Sequence, residues 1–352
     1  MHMADALLSP AVGGAMWVAT AGIAAYSIKK IEHEMDEKKI PLMGVMGAFI
    51  FAAQMINFAI PGTGSSGHLG GGMLLAALLG PYAGFLTMAA ILTIQALFFA
   101  DGGLLALGSN IFNLGFYTCF LVYPLIFKPL VRKGYTKGRL FWGSLISAVI
   151  ALQLGAFSVV LETFFSGKTE LPFGTFLMLM QPIHLAIGVV EGLVTATVLT
   201  FVWQARPEII EHAATGKVLH GISIKRVFVT LAVVTLFTGG VLSWFASSNP
   251  DGLEWSMLKT AGTDELEATS ELHQSLSKIQ EKTAILPDYG FKSSEGIVEE
   301  SNEDGESIAA VSSGTSLSGV VGGVLTLLLA VAMGLVLRLV KRRKKATHSI
   351  SM

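Results

Sequence analysis

Pro61-Gly62-Thr63-Gly64-Ser65-Ser66-Gly67-His68-Leu69-Gly70-Gly71-Gly72 interrupts an otherwise apolar chain, and its reading decides the fold. Hydrophobic runs flank it, about 41–60 before and about 70–79 after, the second ending at Gly80-Pro81. A hydrocarbon core about 30 Å thick takes roughly 20 helical residues. The piece after His68 offers only about ten to twelve, too few to cross as an ordinary helix. Irregular backbone at membrane depth is tolerated only inside protein or against a cavity. Gly70, Gly71 and Gly72 permit unusual φ and close backbone approach. The expectation is a loop folded into a helical bundle, with His68 at its tip and at the mouth of a half-helix.

The composition agrees. Of 352 residues, 52% are hydrophobic and 14% charged, and the mean hydropathy is +0.63. Soluble domains carry about 25% charged residues. A polytopic membrane protein is expected, with the lipid bilayer as its surroundings and no nucleic-acid partner. One cysteine, Cys119, excludes a disulfide framework or a thiolate cluster and reads as a packing residue. The chain has no G-x-x-x-x-G-K-[ST] phosphate loop, so ATP hydrolysis is expected elsewhere.

Nine apolar segments fall at about 11–28, 41–60, 70–79, 82–99, 104–127, 140–165, 173–203, 227–246 and 317–340. Basic stretches at 29–39, 128–139, 204–226 and 341–345 belong in the cytoplasm by the positive-inside rule. That places the amino terminus outside and the carboxy terminus in the cytoplasm, in the cell (inner) membrane. The expected fold is an all-α polytopic membrane protein. It comprises a seven-helix bundle with the amino terminus outside, plus two further transmembrane helices flanking an extracytoplasmic domain. Residues 1–215 form the first part and 216–352 the second. Residues 247–316 carry fourteen of the 25 carboxylates and only four lysines, and fall outside. Within them, Thr263 to Lys282 reads as an amphipathic helix, and 292–316 reads as flexible. No cleavable signal peptide is evident, and the bulky His2 disfavours removal of Met1.

The start, Met1-His2-Met3, carries the chemistry. The terminal amine, the deprotonated His2 amide and the His2 imidazole can chelate one ion in fused rings. Nitrogen donors in a plane favour Ni(II) or Cu(II), and His68 supplies a fourth nitrogen. The plain alternative is a disordered terminus and a polar loop residue. The placement of both histidines on the outer face favours the site. Such donors must lose protons to bind, so affinity falls at acidic pH. His184 and Glu191 share one helical face, and intramembrane ionisable groups tend to mark function. Gln54, Asn57, His184 and Glu191 are candidate supports of the ligands. Asn110 and Asn113 read as interhelical hydrogen-bond partners. Glu162 reads as a rim residue. Ala11, Ala15, Ala19 and Gly22 line one stripe of the first helix, a face for close helix packing or a membrane partner.

Over about residues 1–210 the chain resembles the CbiM/NikM substrate-capture components of energy-coupling-factor nickel and cobalt transporters. The resemblance rests on Met1 to Leu7, the loop Gly62 to Gly72 with His68, and His184-Leu185-Ala186-Ile187-Gly188-Val189-Val190-Glu191-Gly192. It implies seven spans and a metal held through Met1, His2 and His68. One departure is Ala4-Asp5-Ala6, where many relatives carry an Ile and an acidic-Gly-Tyr run. The remainder resembles the NikN/PDGLE component, through Pro250-Asp251-Gly252-Leu253-Glu254. The resemblance implies a membrane coupling (T) protein and cytoplasmic ATP-binding-cassette ATPases as partners. It implies no resident cofactor, only transported Ni(II) or Co(II), and no enzymatic activity of this chain. Nickel leads. The alternatives are Co(II) uptake for cobalamin synthesis, an intramembrane metalloenzyme, or a membrane assembly or sensor protein.

Overall fold

The computed structural model describes residues 2–34, 39–215, 225–268, 270–291 and 313–350. Met1 and most of the expected flexible stretch, 292–312, lie outside the described residues. The first helices are α1 (Pro10–Glu34) and α2 (Lys39–Gln54). A hairpin follows, made of β1 (Phe58–Ile60) and β2 (Ser65–Gly67). Next come α3 (Gly72–Leu79) and α4 (Pro81–Phe99). The next rod joins α5 (Leu107–Ile111), a π-helical stretch (Phe112–Phe127) and α6 (Lys128–Val131). Then follow α7 (Lys137–Phe165), α8 (Phe173–Ala205) and α9 (Pro207–Thr215). The second part holds α10 (Lys225–Gly240), α11 (Gly252–Ala261), α12 (Glu271–Thr283) and α13 (Ser313–Ile350).

Six of these segments are long and apolar enough to cross a bilayer: Pro10–Ile31, Pro81–Phe99, Leu107–Val131, Lys137–Phe165, Phe173–Ala205 and Ser313–Leu339. The chain is an all-α, multi-pass membrane protein. Its faces are inverted relative to a soluble fold. Val18, Leu125, Trp142, Phe165 and Met178 are exposed, while Gln54, Gln95, Asn110, Asn113, His184 and Glu191 are buried. Lipid accepts the apolar side chains, and the polar groups bond to one another within the bundle.

α7 and α8 pack along each other, α3 sits against α4 and the π-helical stretch, and α13 lies against α2 and α10. Gly192 makes the first pairing close, since a Cβ there would stand 2.6 Å from Leu145 Cα. Cys119 is fully buried in the core, as its apolar surroundings predict.

Three expectations need correction. The second apolar run ends as a helix at Gln54, not near residue 60. Phe58, Ala59 and Ile60 instead pair antiparallel with Gly67, Ser66 and Ser65. Paired strands satisfy backbone groups that an open loop would leave bare at depth. The expected helix over Thr263 to Lys282 is shorter: only α12, from Glu271, is helical, and residues 263–268 form a non-helical link from α11. Gly262, at φ 77°, ends α11, and the Ser270 side chain caps α12 by accepting from the His273 amide at 3.3 Å. Glu162 is not a rim residue. It is buried, accepting from Ser158 Oγ at 3.0 Å and Asn113 Nδ2 at 3.2 Å.

Candidate metal centre

The amino-terminal segment is sewn into the bundle. The Met3 amide donates to Asn110 Oδ1 at 2.8 Å, and Asn110 Nδ2 donates to Met3 O at 3.1 Å. The Gly103 amide also donates to Met3 O, at 2.9 Å. Asp5 Oδ1 accepts from the Ala106 amide at 2.9 Å. Met3, Leu7 and Leu8 are buried in the core. His2 is thus carried inward beside the loop that follows α4.

The hairpin carries His68 to the same place. β2 ends at Gly67, and the loop from His68 to Gly71 leads into α3. Gly71 adopts φ 75°, and a Cβ on it would stand 2.6 Å from Ile50 Cγ2. Gln54 Nε2 donates to Gly70 O at 2.8 Å, while Glu191 Oε2 accepts from the Gly70 amide at 2.7 Å. Gln95 Nε2 donates to Gln54 Oε1 at 3.0 Å and holds it in turn. Two of the expected supports therefore clamp both backbone groups of Gly70, two residues from His68. Asn57 lines one cavity with His2 and His68, and its carbonyl accepts from the Ser247 amide at 2.7 Å. His184 is fully buried and borders a narrow pocket with His68 and Asp251. Its Nδ1 lies 2.8 Å from Met180 O, which puts the proton on Nδ1 and leaves Nε2 an acceptor.

The imidazoles of His2 and His68 stack with centroids 4.9 Å apart and planes inclined by 3°. Two nitrogens bound to one ion, each at roughly 2 Å, stand at most about 4 Å apart. Rings this close can serve one ion once they turn out of the stack so that their nitrogen lone pairs converge. His68 Nδ1 lies 3.2 Å from Leu69 O, so it carries the proton and Nε2 keeps its lone pair. Burial holds this imidazole below its ordinary value, in the neutral form that ligates.

A carboxylate attends each imidazole. Asp101 Oδ1 is 3.1 Å from His2 Nδ1, and Asp251 Oδ2 is 3.7 Å from His68 Nε2. Burial opposes ionisation of both acids. His2, with hydrogen bonds from His2 and Tyr289, more than offsets it at Asp101; the amino-terminal charge, and after it His68, does so at Asp251, and both carboxyls lie well below the usual range. Tyr289 Oη donates to Asp101 Oδ2, and its ring stacks on Phe99 at 5.1 Å. An amine–amide–imidazole chelate closes through Nδ1, the nitrogen facing Asp101. Binding there would displace Asp101 or turn the ring by half a revolution.

Sequence reasoning missed Asp101, Asp251 and Tyr289. Asp251 sits in the conspicuous pentapeptide but reads locally as a helix cap, and it is one. Its Oδ1 accepts from the Leu253 and Glu254 amides at 2.7 and 2.9 Å, and Glu254 Oε2 accepts from the Asp251 amide at 2.8 Å. The same turn lies on the hairpin. The Ser66 amide donates to Pro250 O at 2.8 Å, and Trp255 Nε1 donates to Thr63 O at 2.9 Å. No spacing rule connects residue 251 to residue 68.

The fold is that of a multi-pass membrane protein whose bundle brings two imidazoles and two carboxylates together beneath a cap from the second part of the chain. The chain belongs to the CbiM family, described as the cobalt uptake substrate-specific transmembrane region, which matches residues 2–209. A PDGLE domain matches residues 225–339. The chain is 38% identical over 210 residues to a provisionally named metal transport protein of Haloquadratum walsbyi, covering 60% of this chain and 93% of the relative. It is 37% identical over 218 residues to a provisionally named fused nickel transport protein, NikMN, of Archaeoglobus fulgidus, covering 62% of this chain and 70% of the relative. A solved structure of a truncated transition metal transporter superposes with a TM-score of 0.52 at 28% identity, covering 58% of this chain and 99% of that one.

Proposed function

We propose that this chain is the substrate-capture component of an ATP-driven energy-coupling-factor importer of Ni(II), with Co(II) as the second choice. The ion is held by the Met1 amine, the His2 amide and imidazole, and His68 Nε2. One observation carries this reading: His2 and His68, remote in sequence, lie with their rings 4.9 Å apart. A planar nitrogen set leans to Ni(II), and a fused relative is named for nickel. Residues 1–215 are the capture unit and 216–352 the PDGLE-type unit, with seven and two spans respectively. The amino terminus faces outside the cell membrane and the carboxy terminus the cytoplasm. The chain itself is no enzyme and holds no resident cofactor.

Transport requires a membrane coupling protein and cytoplasmic ATP-binding-cassette ATPases. The stripe on α1 suits the coupling protein, since Ala11, Ala15 and Gly22 are exposed. Cross-linkers at Ala15 or Ala19 are expected to capture it, and consistent failure to do so counts against that face.

The deciding experiment is Ni(II) titration of the full chain with an altered start. One residue added before Met1, or acetylation of Met1, is expected to abolish high-affinity binding. His2→Ala and His68→Ala are expected to do the same. Native affinity with a blocked amine would sink the chelate.

A further inference from the structure

A cavity of about 520 Å³ opens over the two imidazoles. His2 and His68 line its floor. Its walls carry Asp5, Asp101, Asp251, Glu254, Asp264, Glu265 and Asp288, and no Lys or Arg among the described residues. All but Asp5 and Asp101 of these seven come from the PDGLE part of the chain.

We propose that this cavity is an antechamber for the hydrated divalent cation, a second binding station ahead of the nitrogen ligands. The proposal rests on the reading of the imidazole site given above. Three observations support it. First, the acids are graded by depth. Glu254, Asp264, Glu265 and Asp288 are exposed. The side chains of Asp101 and Asp251 are 22% and 15% exposed, and those of His2 and His68 only 7% and 9%. Second, the inner acids adjoin the ligand nitrogens, so oxygen donors meet nitrogen donors with no apolar gap between them. Third, His2 Nε2 is buried with no hydrogen-bond partner among the described residues, although the ring lines the cavity. Crowded like charges leave their mark: burial, then Asp101 and Glu265, hold the Asp288 carboxyl above its ordinary value. A dication relieves that repulsion. A cleft of one sign also raises the local counter-ion concentration and speeds entry.

The test uses the full chain in lipid nanodiscs, mixed rapidly with Ni(II) at low and high NaCl. The variant D264N/E265Q/D288N alters only exposed groups. Its association rate constant is expected to fall about tenfold or more at low salt. Most of its salt dependence should vanish, while the capacity of one ion per chain is kept. Native rate and native salt dependence in a variant of full capacity overturn the antechamber. Should the triple variant fail to fold, Glu265→Lys is read the same way. His68→Ala separates the two readings. If it abolishes binding while the triple variant keeps native kinetics, only the antechamber falls. If it still binds Ni(II) as the native chain does, the imidazole site itself falls.

Discussion

Glu191 and Asp251 show how single side chains act on His68 without being ligands. Glu191 accepts from the Gly70 amide and so fixes the loop two residues from the imidazole. Glu191→Ala leaves that amide unpaired inside the bundle. Loss of an outer support usually costs 10–100-fold in metal affinity, and a loss on that order is expected in a Ni(II) titration. Glu191→Gln retains an acceptor and should recover most of it. Asp251 performs two separable tasks. As a cap it holds the first turn of α11, a task asparagine performs equally well. As a carboxylate it faces His68 Nε2. Asp251→Ala is expected to cost about 1 kcal/mol in thermal or denaturant unfolding, and Asp251→Asn only a few tenths. Both should change Ni(II) binding kinetics alike, since both remove the charge.

At the scale of elements, two close approaches organise the fold. The turn into α3 needs a left-handed residue at Gly71, where a side chain would also strike Ile50. Gly71→Ala is expected to cost roughly 1–2 kcal/mol from the backbone conformation alone, with the clash in addition. A shifted unfolding midpoint together with weaker Ni(II) binding would register it. α10 and α13 cross at Gly239 and Gly319, where a Cβ on Gly319 would lie 2.4 Å from Gly239 O. Small residues let helices associate tightly within lipid. Gly319→Leu should force the pair apart, and a disulfide engineered across the crossing should then form slowly or not at all.

The whole molecule is a helical bundle capped by its own second part. The cap touches the site at three places: Asp251 at His68, Tyr289 through Asp101 at His2, and His273 Nε2 at 3.0 Å from Leu8 O. Removing residues 247–316 leaves the proposed nitrogen ligands, on Met1, His2 and His68, in the chain. The truncated protein is therefore expected to retain one Ni(II) per chain but to exchange it faster, because His68 and the hairpin lose their cover. Chelator-chase kinetics on the two proteins measure this directly. Retained capacity would also count against a sensor whose outer domain does the binding.

Much of this was legible in the chain itself. Apolar run length announces a membrane helix, because the bilayer imposes a length and forbids bare backbone. Hence α1, α4, α7 and α8 stand close to where the runs predict. Local chemistry also made His2 and His68 conspicuous, since a terminal chelate and a glycine-rich break are patterns of adjacent residues. The tertiary structure alone decided what meets them. The end of the second run, Phe58 to Ile60, became a strand because residues 65–67 were there to pair with it. Glu162 went inward because Ser158 and Asn113 could bond it. Asp101 and Asp251 reached the imidazoles because helix packing brings together residues that no sequence spacing relates. The opening stretch, Pro61 to Gly72, lies on that boundary. Its glycines declare a bend, but only Gln54, Glu191 and the Pro250 turn, folded against it, determine where His68 comes to rest.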